Sequence, residues 1–270
     1  FYPLDKQGKL NYEDIRRITL EEKPDLILTG YSAYPYAIDF KKFREIADEV
    51  GCYFMVDMAH IAGLVAGGAH MNPCPYADIV TSTTHKTLRG PRGGLILTNS
   101  EELIKRINSA IFPFYQGGPL EHIIAAKAIC FKQASTEEFK KYAHDVVINT
   151  KFCQEEFQRL GALVSGTDNH LFLLNVLDTY GINGLEAQKK LEAINVTTNK
   201  NMIPNDTLKP NKTSGLRIGF AATTTRGCTK EDAKAIALLI HEFLSNKIGE
   251  VEAKARVAKI ISHWKLIENI

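Results

Sequence analysis

The first half of the chain alternates short apolar runs with segments of helical periodicity, and this alternation limits the fold more than any other feature. Apolar side chains recur at helical spacing from Phe40 to Val50, and Gly51 is placed to end that helix. Four strands are predicted around it and after it, at residues 24–30, 52–56, 78–82 and 94–98. Short apolar strands separated by helices or long crossings predict an α/β fold with a mainly parallel sheet.

The second half mixes helices and strands in another order and predicts a smaller α/β domain. A helix is expected from Pro119 to about Gln133, and a long helix capped by Ser135 or Thr136 runs towards Leu160. Further strands are predicted at 162–165, 171–177 and 216–220, and further helices at 184–194 and 232–244. We therefore expect two domains, residues 1–135 and residues 136–270.

Composition excludes several classes of partner. The chain has 33 Lys and Arg against 31 Asp and Glu, so its formal net charge of +2 gives no electrostatic reason to expect nucleic acid or a membrane surface. The longest apolar runs are far shorter than the roughly 20 residues that span a bilayer. Five cysteines without a CxxC pair favour a reducing, cytoplasmic compartment over a disulfide framework.

The segment 81–94, TSTTHKTLRGPRGG, carries the strongest chemical signal. A predicted strand ends in hydroxyl residues, and His85 and Lys86 follow before a turn rich in Gly and Pro. Loops at the C-terminal ends of parallel strands are where α/β proteins place ligands, and a partly desolvated lysine there can form a Schiff base with a carbonyl. For a lysine considered alone, a solvated turn position is the commoner interpretation. A phosphate-binding P-loop is excluded because its glycines are missing before Lys86.

Two further residues fit the same chemistry. Asp57 ends an apolar strand, where a carboxylate favours a cationic partner such as a protonated pyridine nitrogen. Arg217 lies inside a strand in SGLRIGF, and its planar fork suits a carboxylate. Taken singly, Asp57 is explained by a helix N-cap and Arg217 by a structural salt bridge. Together with Lys86 they match the requirements of a pyridoxal-phosphate (PLP) enzyme that acts on amino acids.

Six stretches of the chain closely resemble serine hydroxymethyltransferase, a PLP enzyme of the aspartate-aminotransferase-like fold. They are VDMAHIAGLVA, TSTTHKTLRGPRGG, QGGPLEH, SGTDNHLFL, NKNMIPND and SGLRIGF. The resemblance runs from end to end of the chain, and THKTLRGPRGG is a specific signature. It implies an α/β fold of PLP-dependent transferase fold type I, with a partial large domain and a small C-terminal domain.

The resemblance also implies roles for residues of the first domain. Lys86 would carry PLP as the internal aldimine, and Asp57 would pair with the pyridine nitrogen. Thr83 and His85 flank the lysine and are implied at the catalytic centre. The residues near the 3′-oxygen of the cofactor would be Ser32 and His60.

Substrate and subunit contacts are implied elsewhere. Arg217 would hold the carboxylate of serine or glycine, and Asn201 would lie near the pterin of tetrahydrofolate. Gly117 and Gly118 match the pair whose backbone amides approach the PLP phosphate of a neighbouring subunit, which implies a homodimer with shared active sites, or a tetramer. Arg92 matches an arginine beside the site, and we assign it a supporting role.

The implied reaction is the reversible conversion of serine and tetrahydrofolate to glycine and 5,10-methylenetetrahydrofolate, a step of one-carbon metabolism, with PLP as the electron sink. The chain departs from the family pattern at Phe220 and at Phe114 and Tyr115. It starts at Phe1 without Met, and no stretch matches the N-terminal phosphate cup of the family. We therefore expect an N-terminally truncated chain that binds PLP weakly and turns over poorly alone.

Three alternatives remain open at this point. The first is another fold type I PLP enzyme, such as a threonine aldolase or an aminotransferase, against which the folate-side match at 199–205 argues. The second is a non-catalytic piece that folds or dimerises without activity. The third is a zinc site, for which the irregularly spaced candidates would be His60, His70, Cys74 and His85. We expect no metal.

Overall fold

A computed structural model describes residues 2–265 of the chain. The described chain divides into two compact units. The first contains Lys9–Ser32 and Ala37–Ala143 with the residues before Lys6, and the second contains Lys6–Gly8, Ala33–Tyr36 and the described residues from His144 onward. The change from one unit to the other therefore falls inside a long helix. The assignment of residues 1–135 and 136–270 to two functional domains stays a prediction.

The described part of the first unit contains a four-stranded sheet with the order β1-β2-β3-β4. The strands are β1 (Leu26–Thr29), β2 (Tyr53–Asp57), β3 (Ile79–Thr83) and β4 (Gly94–Leu97). β1, β2 and β3 are parallel neighbours, whereas β4 runs antiparallel to β3. The prediction of a mainly parallel sheet is confirmed. β4 is the exception because the short loop 84–93 turns the chain straight back beside β3.

Helices surround this sheet and follow it in the chain. They are α1 (Tyr12–Glu22), α2 (Phe40–Val50), α3 (Ala62–Ala66), α4 (Glu101–Ser109), α5 (Glu121–Ala134) and the first part of α6 (Glu137–Arg159), with an irregular helical segment at Ala110–Tyr115. As predicted, α2 ends at Gly51, which has a φ of 75°. The buried rings of Phe43 and Phe54 stack with centroids 5.5 Å apart, so the apolar face of α2 packs on β2.

The described part of the second unit is built on a small antiparallel sheet with the order β5-β7-β6. The strands are β5 (Leu171–Asn175), β6 (Asn199–Asn201) and β7 (Gly215–Gly219). The helices are the rest of α6, α7 (Val176–Tyr180), α8 (Gly184–Ala193), α9 (Ala221–Thr225), α10 (Lys230–Leu244) and α11 (Glu250–Ile261). Buried side chains of the sheet and of α10 share one apolar cluster, which places β7 in the core of the unit.

Two sequence-based strand predictions differ from the structure. The predicted strand 162–165 contributes a single bridge, between Val164 and Leu174. The predicted strand 171–177 ends at Asn175, because the side chain of Asn175 accepts a hydrogen bond from Asp178 N and starts a helix there. No helix within residues 2–265 is long and apolar enough to cross a membrane.

Candidate active site

Three loops of the first unit leave the same edge of the sheet. Since β1, β2 and β3 are parallel, their C-terminal ends lie together, and Asp57 at the end of β2 is in register with Thr81 of β3. Ser32 follows β1, Asp57 ends β2 and His60 follows it, and Lys86 follows β3. The structure therefore places Ser32, Asp57, His60 and Lys86 at one sheet edge, where α/β proteins bind ligands.

The turn after β1 can approach β2 only because residue 30 is glycine. Gly30 has a φ of +130°, and a Cβ built on it would lie 2.0 Å from the backbone oxygen of Asp57. Any side chain at this position would push the two loops apart. The close approach of the backbones of Gly30 and Asp57 thus keeps the loop that carries Ser32 beside Asp57.

The carboxylate of Asp57 is exposed in the described chain. Its Oδ1 accepts a hydrogen bond of 3.0 Å from the backbone N of Ala59, so Asp57 does cap the turn that leads to α3. Its second oxygen has no hydrogen bond or ion pair within residues 2–265. A capped, singly bonded carboxylate at the edge of the sheet can pair with a cation that reaches it.

The lysine loop is closed by Thr84, a residue to which the sequence analysis gave no role. Thr84 is fully buried, and its N donates to Gly93 O at 3.0 Å while its Oγ1 donates to Pro91 O at 2.5 Å. Gly90 N donates back to Thr84 O at 2.7 Å. These bonds tie both ends of loop 84–93 together, and they fix the half-buried Lys86 in a defined position.

A second threonine joins the lysine loop to the loop after β2. The buried Oγ1 of Thr87 donates to His60 O at 2.8 Å and accepts from Gly63 N at 3.0 Å. The approach is so close that a Cβ on Gly63 would lie 2.1 Å from Thr87 O. Thr87 therefore links the backbones that carry Lys86 and His60. The run of hydroxyl residues around the lysine was the only sequence signal for it.

Two polar atoms beside Lys86 are buried without a partner. Thr83 Oγ1 and His85 Nδ1 have no hydrogen bond within the part of the chain that the structure describes. The other ring nitrogen of His85, Nε2, lies 3.5 Å from Arg92 Nη1, and the supporting role of Arg92 stays a prediction. Buried polar groups are almost always satisfied, so two such atoms just before the lysine in the chain indicate that a ligand completes their bonds.

Gly117 and Gly118 are exposed and lie outside this group of loops. No atom lies within 4 Å of a Cβ built on either glycine, so both backbones are open to an approaching group. The two residues that depart from the family pattern here, Phe114 and Tyr115, are 76% and 79% exposed. Within the described chain these glycines complete no site.

The second unit holds Arg217 and Asn201 on neighbouring strands. Arg217 lies on the central strand β7 opposite Asn199 of β6, and its Nη2 donates to Asn199 Oδ1 at 3.1 Å. Burial lowers the pKa of Arg217. A partly desolvated, oriented arginine is suited to a carboxylate. Asn201 donates from Nδ2 to Met202 O at 2.6 Å.

Asp206, which sequence reasoning missed, fixes the loop between β6 and β7. Its carboxylate accepts from Ser214 Oγ at 2.6 Å, from Ser214 N at 2.8 Å and from Leu208 N at 2.8 Å. Burial acts to raise the pKa of Asp206, but the hydrogen bonds from Ser214, Leu208 and Ile203 together outweigh it, so that its pKa is lowered. The motif NKNMIPND therefore contains both the predicted pterin contact and the carboxylate that holds its loop.

The alternative of a zinc site receives no support from the geometry. Among residues 2–265, no three His, Cys, Asp or Glu side chains come together as a metal site would require.

The departure at Phe220 also has a structural explanation, because its side chain is 2% exposed and belongs to the apolar cluster of the second unit.

Comparisons with known proteins bear on the family of this chain. A family model described as serine hydroxymethyltransferase matches residues 1–240. The serine hydroxymethyltransferase of Mycoplasmopsis synoviae (strain 53) is 53% identical to this chain over 264 residues, an alignment that covers 96% of this chain. The chain spans 63% of the length of that relative. Neither match indicates a threonine aldolase or an aminotransferase.

Proposed function

The chain belongs to the serine hydroxymethyltransferase family, and from that premise we propose that it carries the lysine-bearing part of an enzyme that converts serine and tetrahydrofolate reversibly to glycine and 5,10-methylenetetrahydrofolate. The observation that carries the proposal is the half-buried Lys86 in a loop where two preceding residues, Thr83 and His85, have a buried Oγ1 and Nδ1 without a hydrogen-bond partner within residues 2–265. A partly buried lysine at a sheet edge suits Schiff-base chemistry.

The residues present at this edge fit PLP. Lys86 supplies the amine that holds the cofactor, and the open oxygen of Asp57 supplies the negative charge that keeps its pyridine nitrogen protonated. Ser32 and His60 are proposed contacts of its 3′-oxygen. When bound, PLP supplies an electron-withdrawing ring that stabilises negative charge on the Cα of the substrate. Thr83 and His85 then supply hydrogen bonds at the reacting centre.

Residues of the second unit are proposed to bind the two substrates. Arg217 holds the carboxylate of serine or glycine, and Asn199 orients its guanidinium through the bond of 3.1 Å. Holding the carboxylate decides which Cα bond is aligned for cleavage, a positioning effect. Asn201 is proposed as a contact of tetrahydrofolate, with Asp206 holding its loop in place.

We also propose a homodimer, or a tetramer built from it, with active sites shared between subunits. Gly117 and Gly118 have open space at their backbones, and the segment around them exposes large apolar side chains. These side chains are Phe112, Phe114, Tyr115, Leu120 and Ile124. An exposed apolar surface beside two open glycines supports a subunit contact there.

The five free cysteines support a cytoplasmic location.

The lysine assignment is tested by chemical trapping in the full chain. The chain is incubated with PLP, reduced with borohydride, digested and mapped by mass spectrometry, next to the variants Lys86→Arg and Lys105→Arg. Lys105 is an exposed lysine of α4 and serves as the matched control. We expect the label on Lys86, its loss in Lys86→Arg and its retention in Lys105→Arg. A label on another lysine in the unmodified chain would refute the assignment.

The reaction is tested separately, because an amine can trap PLP without catalysing this reaction. Release of glycine from serine is measured with and without tetrahydrofolate. Release that requires tetrahydrofolate and Lys86 supports the proposal. Release that is independent of tetrahydrofolate contradicts the folate assignment of Asn201 while leaving the PLP assignment intact.

A further inference from the structure

The second unit encloses a cavity of about 430 Å³ that has no part in the proposed reaction. It lies beside β7 and is closed by α9, α10 and α11. Most of its lining is apolar, and the main contributors are Ile218, Phe220, Ile236, Leu239, Val257 and Trp264. We call it the Trp264 cavity. Its volume lies within the range of about 300–1,000 Å³ that is typical of small-molecule sites.

The Trp264 cavity lies on the opposite face of β7 from the proposed substrate site. Successive side chains of a strand point to opposite faces of the sheet. Ile218, which lines the cavity, directly follows Arg217 in the sequence and is 6% exposed. A ligand in the cavity would therefore not contact the guanidinium of Arg217.

Two polar groups in the lining are unsatisfied. Thr198 is 8% exposed, and its buried Oγ1 has no hydrogen-bond partner within residues 2–265. Arg226 also lines the cavity, and its buried Nε lacks a hydrogen bond among the described residues. Arg226 forms no ion pair in that part of the chain either. Since a buried polar group without a partner is costly, a hydroxyl and a guanidinium in one apolar cavity indicate an anion that satisfies both.

Trp264 is held in place against this cavity. Its Nε1 donates to Asp232 Oδ2 at 3.2 Å, and the next residue, Lys265, donates from its N to Arg226 O at 2.9 Å. The guanidinium of Arg226 lies 5.6 Å from the centroid of the indole ring. The indole thus provides an apolar wall next to the cation, and a ligand that reaches the guanidinium lies against both.

We propose that the Trp264 cavity binds a small carboxylate with an apolar body. The carboxylate accepts hydrogen bonds from Arg226 and Thr198, because the planar fork of an arginine matches two carboxylate oxygens. The apolar body fills the space among the aliphatic and aromatic side chains. Inorganic phosphate and other strongly hydrated anions are disfavoured, because the lining offers few groups to replace their water. This site does not depend on the proposed reaction.

The chain contains a single tryptophan, so its fluorescence reports on this cavity alone. The full chain is titrated with 4-phenylbutyrate and, as the neutral counterpart, with 4-phenylbutanamide, while Trp264 emission is recorded. A calorimetric titration of the same samples measures binding without relying on fluorescence. We expect 4-phenylbutyrate to change the emission saturably and to bind about tenfold or more tightly than the amide, because the amide offers one neutral acceptor oxygen in place of two charged ones.

Variants locate the site. Arg226→Gln removes the positive charge and the guanidinium fork, Thr198→Val removes the hydroxyl at nearly constant volume, and Lys189→Gln removes a positive charge from an exposed position of α8 as the matched control. We expect Arg226→Gln to abolish the preference for the carboxylate, Thr198→Val to weaken binding several-fold, and Lys189→Gln to bind like the unmodified chain. Circular dichroism confirms that each variant is folded.

The proposal is overturned if neither method detects binding of 4-phenylbutyrate, if the amide binds equally well, or if a folded Arg226→Gln keeps the preference for the carboxylate. The variant Lys86→Arg separates this proposal from the proposed function. Unchanged binding of 4-phenylbutyrate in Lys86→Arg is expected, whereas its loss would contradict an independent site.

Discussion

Replacing Thr87 with valine tests whether one hydroxyl holds the lysine loop against the rest of the site. The change conserves volume, so it opens no cavity. It leaves the buried N–H of Gly63 without an acceptor, because Gly63 lies in the first turn of α3, where the helix has no carbonyl to accept from it. It also removes the hydrogen bond that the hydroxyl donates to His60 O. An unsatisfied buried amide costs about 1–3 kcal/mol and the lost bond about 1 kcal/mol, so we expect a destabilisation of about 2–4 kcal/mol.

A matched threonine in the same unit provides the control. Thr19 is also buried, but its hydroxyl donates only to Ile15 O one turn earlier in α1. Because no N–H loses its acceptor, Thr19→Val should cost about 1 kcal/mol or less.

The assay combines urea unfolding, followed by circular dichroism, with hydrogen exchange of the peptide that contains Gly63. Trp264 fluorescence is unsuitable for this purpose because the tryptophan belongs to the second unit. We expect Thr87→Val to lose protection at Gly63, and Thr19→Val to retain it. Equal stabilities of the two variants, with the amide of Gly63 still protected in Thr87→Val, would refute the role given to this hydroxyl.

Two further predictions concern the backbone and the acid stability of the site. Gly30→Ala should disrupt the first unit, because its Cβ would overlap the backbone of Asp57. Gly51→Ala is the control: its Cβ meets no atom within 4 Å and should cost only the strain of the positive φ, about 1–2 kcal/mol. Urea unfolding of both variants checks this, and equal losses of unfolding free energy would contradict it. The lowered pKa of Asp206 means that its contribution to stability is complete above the pKa of the unfolded chain and is lost as the pH falls below about 4. Asp206→Asn should therefore flatten the acid limb of the stability curve of the second unit, measured by Trp264 fluorescence, and an unchanged limb would exclude the contribution.

Sequence patterns predicted the parts of the fold that depend on neighbours along the chain. The helix from Phe40 to Val50 followed from apolar periodicity and a terminal glycine, and its observed bounds are the same. The strand predicted at 171–177 was too long, because hydrophobicity alone could not show that Asn175 would turn from pairing with β7 to capping a helix. Both a strand and a buried helical turn accept the apolar residues Val176 and Leu177.

The candidate site shows the same limit at longer range. Lys86, Asp57 and Arg217 could be chosen from the sequence because each residue type is chemically unusual where it stands. Thr84 and Thr87 could not, since their roles depend on partners that only the folded chain brings within reach, such as the carbonyl of His60, 27 positions away from Thr87. No sequence pattern around a threonine indicates that its hydroxyl will have such a distant partner. Residues that carry chemistry can thus be read from their type, whereas residues that position them are found only from the geometry. Thr198 and Arg226 of the Trp264 cavity, whose Oγ1 and Nε have no hydrogen-bond partner within residues 2–265, belong to the second kind.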